Sequence, residues 1–125
     1  MDALSLYDLN ALVRRSLEQC LPDEYWVQAE LSEVRVHPAT GHCYVEFVQK
    51  DPRSNNLVAK ARGVIWNNVF RLLRPYFEES TGQVFTAGIK VLVQVSVGFH
   101  ELYGFSLTVH DIDPTYTLGD MGRRR

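Results

Sequence analysis

The sequence has little of what marks several classes of protein. No apolar run approaches the ~18 residues that suggest a transmembrane helix, and the first ten residues carry an acid where a secretory signal needs positive charge. Cysteine is scarce, and Cys20 and Cys43 have neither a metal-site spacing nor that of a disulfide framework. These absences predict a protein without a membrane partner in a reducing compartment, the cytoplasm.

An excess of one charge is also lacking. Thirteen Lys and Arg stand against 15 Asp and Glu, which gives a net charge of −2 over 125 residues. This balance excludes a generally basic nucleic-acid binder, so any such contact must come from a local patch. Three of the positive residues form the run 123–125, which we interpret as a solvated tail or as a stretch cut from a longer chain. The length itself predicts one domain.

Apolar and polar residues alternate over five segments, as is typical of strands with one buried face. The segments are residues 25–36, 42–50, 57–66, 89–97 and 105–113. The first three are joined by the turn signals "HPATG" and "DPRSNN", so they are predicted to form an antiparallel meander. The predicted inward row of the third segment is mostly small and comprises Leu57, Ala59, Ala61, Gly63 and Ile65.

Two stretches have helical spacing instead. Near the N-terminus, Ser5 and Asp8 are placed to begin a helix that Pro22 ends. Its apolar stripe comprises Leu6, Leu9, Val13, Leu17 and Cys20. A second helix is predicted over residues 67–82, capped by Asn67 or Asn68, and Pro75 is expected to divide it into two short pieces.

Five short strands, each with one apolar row, bury those rows only if the sheet closes on itself. We therefore predict an all-β fold with flanking helices, a five-stranded Greek-key barrel of the OB-fold type. One helix precedes the barrel and another lies between its third and fourth strands. The predicted divisions are an amphipathic helix over 1–22 packed on the barrel, the barrel over 23–116, and a linker over 117–125 towards an absent catalytic domain.

The usual ligand surface of an OB-fold is the outer face of strands two and three with two flanking loops. Here the outward residues are aromatic or cationic, and single-stranded nucleic acid needs both, for base stacking and for phosphates. The candidate nucleic-acid-binding residues are Arg35, His37, His42, Tyr44, Lys60, Arg62, Trp66, His100 and Tyr103. Because Glu30 and Glu46 oppose DNA, we expect weak, strongly salt-dependent binding.

Ordinary structural explanations compete with this interpretation. Aromatic residues favour strands in general, which alone accounts for Tyr44, and Lys60 and Arg62 also serve to keep a face soluble. Trp66 ends a strand, where partial burial against the second helix is expected. His37 precedes a proline and is interpreted as a loop residue.

No catalytic or metal-binding constellation is evident. His42 and Cys43 are neighbours in a strand and point to opposite faces, so they cannot form a thiolate–imidazole pair. The four histidines have no ligand spacing. We expect no catalytic residue, no metal and no cofactor in this domain.

Several segments carry a resemblance to a known family. They are "LSLYDLNALVRRSLE", "VQAELSEVR", "GHCYVEFVQKD", "AKARGVIW" and "KVLVQVSVGFHELYGFSLTVHDIDP". In this order they closely resemble the N-terminal domain of the exodeoxyribonuclease VII large subunit. The most specific elements are Gly41-His42-x-Tyr44 and residues 102–107. The family's Gly-Glu-Ile-Ser-Asn pattern appears here as "AELSE", with changes at Ala29 and Glu33.

The resemblance implies an OB-fold that holds single-stranded DNA for a nuclease. It also implies partners in the full-length protein, namely a catalytic domain later in the chain and several small subunits bound by a coiled coil. The full-length enzyme is expected to degrade single-stranded DNA to oligonucleotides, and this fragment to lack that activity. The alternative is a protein-interaction barrel whose same face docks a neighbouring domain or subunit.

Overall fold

Five strands close into a barrel in the computed structural model, which describes residues 1–123. The elements are α1 (Leu6–Cys20), β1 (Glu24–Val36), β2 (Cys43–Lys50), β3 (Leu57–Ile65), α2 (Asn67–Thr81), β4 (Lys90–His100), β5 (Gly104–Ile112) and α3 (Pro114–Arg123). The strand order is β1-β2-β3-β5-β4, antiparallel except between β3 and β5. The predicted OB-fold, with its N-terminal helix and its helix between strands three and four, is confirmed. Arg124 and Arg125 of the C-terminal run lie outside the described residues.

The inward rows of the strands fill the barrel. Its buried residues include Leu31, Cys43, Val45, Phe47, Ile65, Val91, Val93, Val95, Leu107, Val109 and Ile112. From α2, Phe70, Leu73 and Phe77 pack against this interior together with Phe85. The alternation read from the sequence therefore identified the buried faces of β2 and β4.

β1 contains one extra residue. Leu31 lies opposite Phe47 and Glu33 opposite Glu46, so Ser32 forms a β-bulge. Regular alternation would turn Glu33 towards the core. The bulge instead leaves Glu33 exposed and brings Val34 against the core, and the regular alternation predicted over residues 25–36 is therefore wrong beyond Leu31.

The small residues of β3 pack against the core only at the end of the strand where the barrel is closed. Gly63 is buried, and a Cβ there would lie 2.6 Å from Cε2 of Phe47. Leu57 and Ala59, predicted to face inward, are exposed. At those positions β3 pairs only with β2, since its pairing with β5 is at Gly63 and Val64. The hairpin thus extends beyond the barrel.

α1 begins as predicted, since Ser5 Oγ accepts a hydrogen bond from the Asp8 amide at 3.0 Å. The predicted apolar stripe is only partly covered: Val13 and Leu17 are half-buried. Three further members of the stripe are exposed: Leu6, Leu9 and Cys20. The buried residue is the small Ala11, because α1 lies on β4.

α2 is a single helix, so the predicted division at Pro75 is wrong. Proline removes one bond from the helical ladder, whereas Leu73 and Phe77 on either side of it are buried in the core and hold the helix in one piece. The N-cap is Trp66, without a side-chain cap bond, rather than Asn67 or Asn68.

α3 was not predicted from the sequence. Thr117 is buried and its Oγ1 donates to the Lys90 carbonyl at 2.7 Å, and Lys90 Nζ lies 3.6 Å from Asp120 Oδ1. Much of the segment predicted as a linker, residues 117–125, therefore belongs to a packed helix as far as Arg123. Its role as a connection to another domain stays a prediction. Within residues 1–123, no helix has the length and hydrophobicity required to cross a membrane.

Candidate nucleic-acid interface

The outward side chains of β2 and β3 form one surface, which we call the outer wall. Tyr44 is 37% exposed and lies opposite Arg35 of β1. Arg62 lies opposite Glu46, and Lys60 opposite Val48, two residues further along. Both cationic side chains are exposed. Tyr44, Lys60 and Arg62 therefore share one wall of the barrel and face solvent, as strand parity predicts.

The charges of the outer wall are mixed. Glu46 lies 3.6 Å from Lys60 Nζ and accepts a hydrogen bond from Ser32 Oγ at 2.8 Å. Glu33 lies opposite Glu46 and 3.7 Å from Arg35. Exposed ion pairs of this kind contribute little free energy, so their cations can exchange a carboxylate for a phosphate at small cost.

A depression of about 220 Å³ lies on this wall and extends to β1. It is lined by Glu33, Arg35, Tyr44, Val45, Glu46, Arg62 and Gly63. The aromatic ring of Tyr44 and the guanidinium groups thus border one concave surface, an arrangement suited to a base beside its phosphate.

His42 joins the outer wall to the start of α2. Its Nδ1 accepts a hydrogen bond from the Asn67 amide at 2.9 Å, which supplies the cap that α2 lacks from its own side chains. In the neutral ring this bond leaves the proton on Nε2. Trp66 is 44% exposed and packs edge-on against His42, with ring centroids 4.8 Å apart, a contact that the sequence did not predict.

Gly41 explains the glycine of the Gly-His-x-Tyr element. Its φ is +74°, a conformation that side chains rarely adopt, and a Cβ there would lie 2.7 Å from Asn67 Oδ1. His37 lies in the same turn, exposed, where its Nδ1 is 3.3 Å from Thr40 Oγ1. Its backbone closes the turn through bonds with His42 and Gly41.

The turn between β4 and β5, which we call the 100–104 turn, borders the outer wall on the side of β3. The rings of His100 and Tyr103 stack with centroids 4.8 Å apart, and Tyr103 is 65% exposed. Arg62 donates a hydrogen bond to the Tyr103 carbonyl. Phe105, predicted to face inward, is 44% exposed beside this turn. The structure thus brings His100 and Tyr103 next to Arg62.

The sequence as a whole matches a known family. A family model described as an OB-fold nucleic acid binding domain covers residues 4–113. The chain belongs to this family. Membership agrees with the closed five-stranded barrel and places the chain among domains described as binding nucleic acid.

The likeness to exodeoxyribonuclease VII is confirmed by a curated relative. The exodeoxyribonuclease 7 large subunit of Deinococcus radiodurans is 34% identical over 97% of this chain and 29% of the relative. The chain therefore spans less than a third of that relative's length.

Two solved structures are more distantly similar to this chain. The dimeric N-terminal domain of the PriB protein from Thermoanaerobacter tencongensis has a TM-score of 0.46 at 14% identity, covering 74% of this chain and 94% of its own. The mitochondrial single-stranded DNA binding protein Rim1 from S. cerevisiae has a TM-score of 0.48 at 12% identity, covering 73% and 90%. Because both TM-scores lie below 0.5, neither likeness bears on what the chain does.

Two groupings in this OB-fold domain look chemically reactive, and geometry argues against both. Cys43 is fully buried in the barrel while His42 lies on its outer side. Ser96 Oγ and Glu24 Oε1 both approach the same nitrogen of His110, Nε2, at 2.8 and 3.7 Å. A relay needs its base and its orienting acid on different ring nitrogens. Among residues 1–123, no three His, Cys, Asp or Glu side chains are grouped to hold a metal ion.

The two thiols are expected to differ sharply in reactivity. Cys20 is exposed, whereas burial raises the pKa of the Cys43 thiol to about 11, so Cys43 is protonated and shielded at neutral pH. When the native protein is titrated with a chromogenic disulfide, one equivalent of chromophore per chain should be released rapidly. The denatured protein should release two equivalents. Cys20→Ser should abolish the rapid phase. Rapid reaction of that variant would show that the barrel opens at Cys43.

Proposed function

We propose that this domain binds single-stranded DNA along the outer wall of β2 and β3. The observation that carries the proposal is the gathering of Tyr44, Lys60 and Arg62 on one exposed wall of an OB-fold nucleic acid binding domain. Bases stack on aromatic faces with about 1–3 kcal/mol each, while Lys and Arg follow the phosphates.

Single-stranded DNA on the outer wall would also meet side chains that border the wall. Arg35 borders it on the side of β1, His37 and the His42–Trp66 pair lie at the end of β2 and β3 next to α2, and the His100–Tyr103 stack lies on the side of β5. A DNA strand on the wall therefore meets aromatic rings at two of its borders and the cations Lys60 and Arg62 on the wall itself. This order supports binding through stacking and charge rather than through base-specific hydrogen bonds.

In a full-length protein the domain would present single-stranded DNA to a separate catalytic domain that degrades it to oligonucleotides. This finer proposal rests on the 34% identity to an exodeoxyribonuclease 7 large subunit, of which the chain spans 29%. The proposed partners are that catalytic domain and several small subunits, the proposed location is the cytoplasm, and the domain alone is proposed to lack nuclease activity.

Fluorescence anisotropy of a labelled oligothymidine, measured against salt concentration, tests the DNA proposal. Lys60 and Arg62 of the wall, with Arg35 at its border, predict a slope of about −2 for log affinity against log salt, because binding to single strands loses about 0.7 in this slope per neutralised phosphate. Affinity should then fall about fifteenfold between 50 and 200 mM salt. A duplex of the same length is the control. Equal affinity for the duplex, or binding indifferent to salt, would contradict the proposal.

A second candidate, a surface that docks another protein domain, is favoured by the mixed charge of the wall. Glu33 and Glu46 lie among its cations, and the exposed Leu102 and Phe105 lie at its edge. This candidate predicts association between domains that added oligonucleotide does not disturb. Analytical ultracentrifugation with and without the oligothymidine separates the two.

A further inference from the structure

The 100–104 turn is fastened by α1, a helix far from it in the sequence. Asn10 Nδ2 donates to the Glu101 carbonyl at 2.9 Å, and Arg14 Nε donates to the Glu101 carboxylate at 2.8 Å. These bonds join residues 87 and 91 positions apart. One hydrogen bond holds the backbone of the turn and the other holds its only acidic side chain.

The Arg14–Glu101 pair is better shielded than the other ion pairs near the outer wall. The Glu101 side chain is 15% exposed and that of Arg14 is 35% exposed, against 61% for Lys60 in its pair with Glu46. Arg14 also bonds Glu18 one turn further along α1, at 3.1 Å, which fixes its guanidinium. The hydrogen bond from Arg14 holds the pKa of the Glu101 carboxyl below its ordinary value, so the pair is ionised at neutral pH.

A second attachment comes from the barrel itself. Arg62 donates to the carbonyl of Tyr103, and within the turn the Leu102 amide donates to His100 Nδ1 at 3.0 Å. Tyr103 is therefore held by its backbone while its ring stays 65% exposed. The turn displays the His100–Tyr103 stack rather than burying it.

We propose that Asn10 and Arg14 of α1, together with Arg62, are positioning residues that preorganise the His100–Tyr103 stack as a platform for a nucleobase. This inference rests on the proposed function and extends it, because it makes α1 part of the binding apparatus without any contact to DNA. An unfastened turn must lose conformational freedom when a strand binds, and that loss weakens affinity. Because Asn10, Arg14 and Arg62 already hold the turn in the free domain, the turn loses this freedom when the domain folds and not when DNA binds.

Arg14→Gln, compared with Arg15→Gln, provides the test. Both variants lose one positive charge from the same helix, but Arg15 is exposed and makes none of these contacts. In the free chain, Arg14→Gln should speed amide hydrogen exchange within the 100–104 turn. It should weaken oligothymidine binding about three- to tenfold while leaving the salt slope unchanged. Arg15→Gln should change neither quantity, and equal behaviour of the two variants would overturn the inference.

A double-mutant cycle separates positioning from a general loss of stability. In a Tyr103→Ala background, Arg14→Gln should cause no further loss of affinity, because the platform is already gone; an additive loss contradicts positioning. Should Arg14→Gln fail to fold, Glu101→Gln weakens the same pair from the other side. If the unsubstituted chain binds no oligothymidine, the proposed function fails. In that case amide hydrogen exchange still tests the attachment of the turn to α1. If Arg14→Gln leaves exchange in the 100–104 turn unchanged, α1 does not hold the turn.

Discussion

Replacing Gly63 by alanine is expected to lower the free energy of unfolding by about 1–3 kcal/mol. The added Cβ would lie 2.6 Å from Cε2 of Phe47 and 2.9 Å from Cγ2 of Val45. Both neighbours are core residues, 4% and 5% exposed, so neither has free space to move into. Thermal unfolding followed by circular dichroism should show the midpoint falling by about 4 °C for each kcal/mol lost.

Gly98→Ala is the matched control for this substitution. Gly98 also lies within a strand, but a Cβ there would meet only the Ser106 carbonyl, at 3.8 Å. Alanine costs less conformational entropy than glycine, so this variant should be as stable as the original protein or up to about 1 kcal/mol more stable. Equal destabilisation by both substitutions would mean that the effect comes from strand backbone rather than from crowding inside the barrel.

The fold was largely predictable because its main signal is local. Alternating residues mark each strand, and a row as small as Ala61 and Gly63 indicates a barrel with a narrow interior. The misses come from non-local packing. Burial of Leu73 and Phe77 keeps α2 a single helix across Pro75. The bulge at Ser32 turns Val34 towards the core, where regular alternation would have placed Glu33.

For the candidate site, too, one part was predicted from the sequence and another was missed. Strand parity was enough to place Tyr44, Lys60 and Arg62 on one wall, since neighbouring strands in register expose the same face. The contacts that hold the edges of the wall were missed. His42 caps α2 across 25 positions, and Arg14 reaches Glu101 across 87. Such pairs have no spacing signal in a single sequence.

Tyr44→Ala should weaken binding of the oligothymidine by about 1–3 kcal/mol, which is about five- to 150-fold in affinity. Tyr44 is the aromatic side chain in the lining of the depression on the outer wall, and truncation removes the face on which a base would stack. Anisotropy at constant low salt measures the loss. The slope of affinity against salt should stay unchanged, because tyrosine neutralises no phosphate.

Two further substitutions at Tyr44 separate stacking from simple cover of the barrel. Tyr44 lies opposite Val64, which is 8% exposed although it belongs to the outward row, so truncation to alanine also uncovers apolar surface. Tyr44→Leu retains apolar bulk but has no π-face, and Tyr44→Phe retains the ring but not the hydroxyl. If a base stacks on Tyr44, the Tyr44→Phe variant should keep its affinity for the oligothymidine and the Tyr44→Leu variant should lose it. If the Tyr44→Leu variant binds as tightly as the original protein, Tyr44 serves only to cover the apolar surface at Val64. Base stacking must then come from the His100–Tyr103 platform instead.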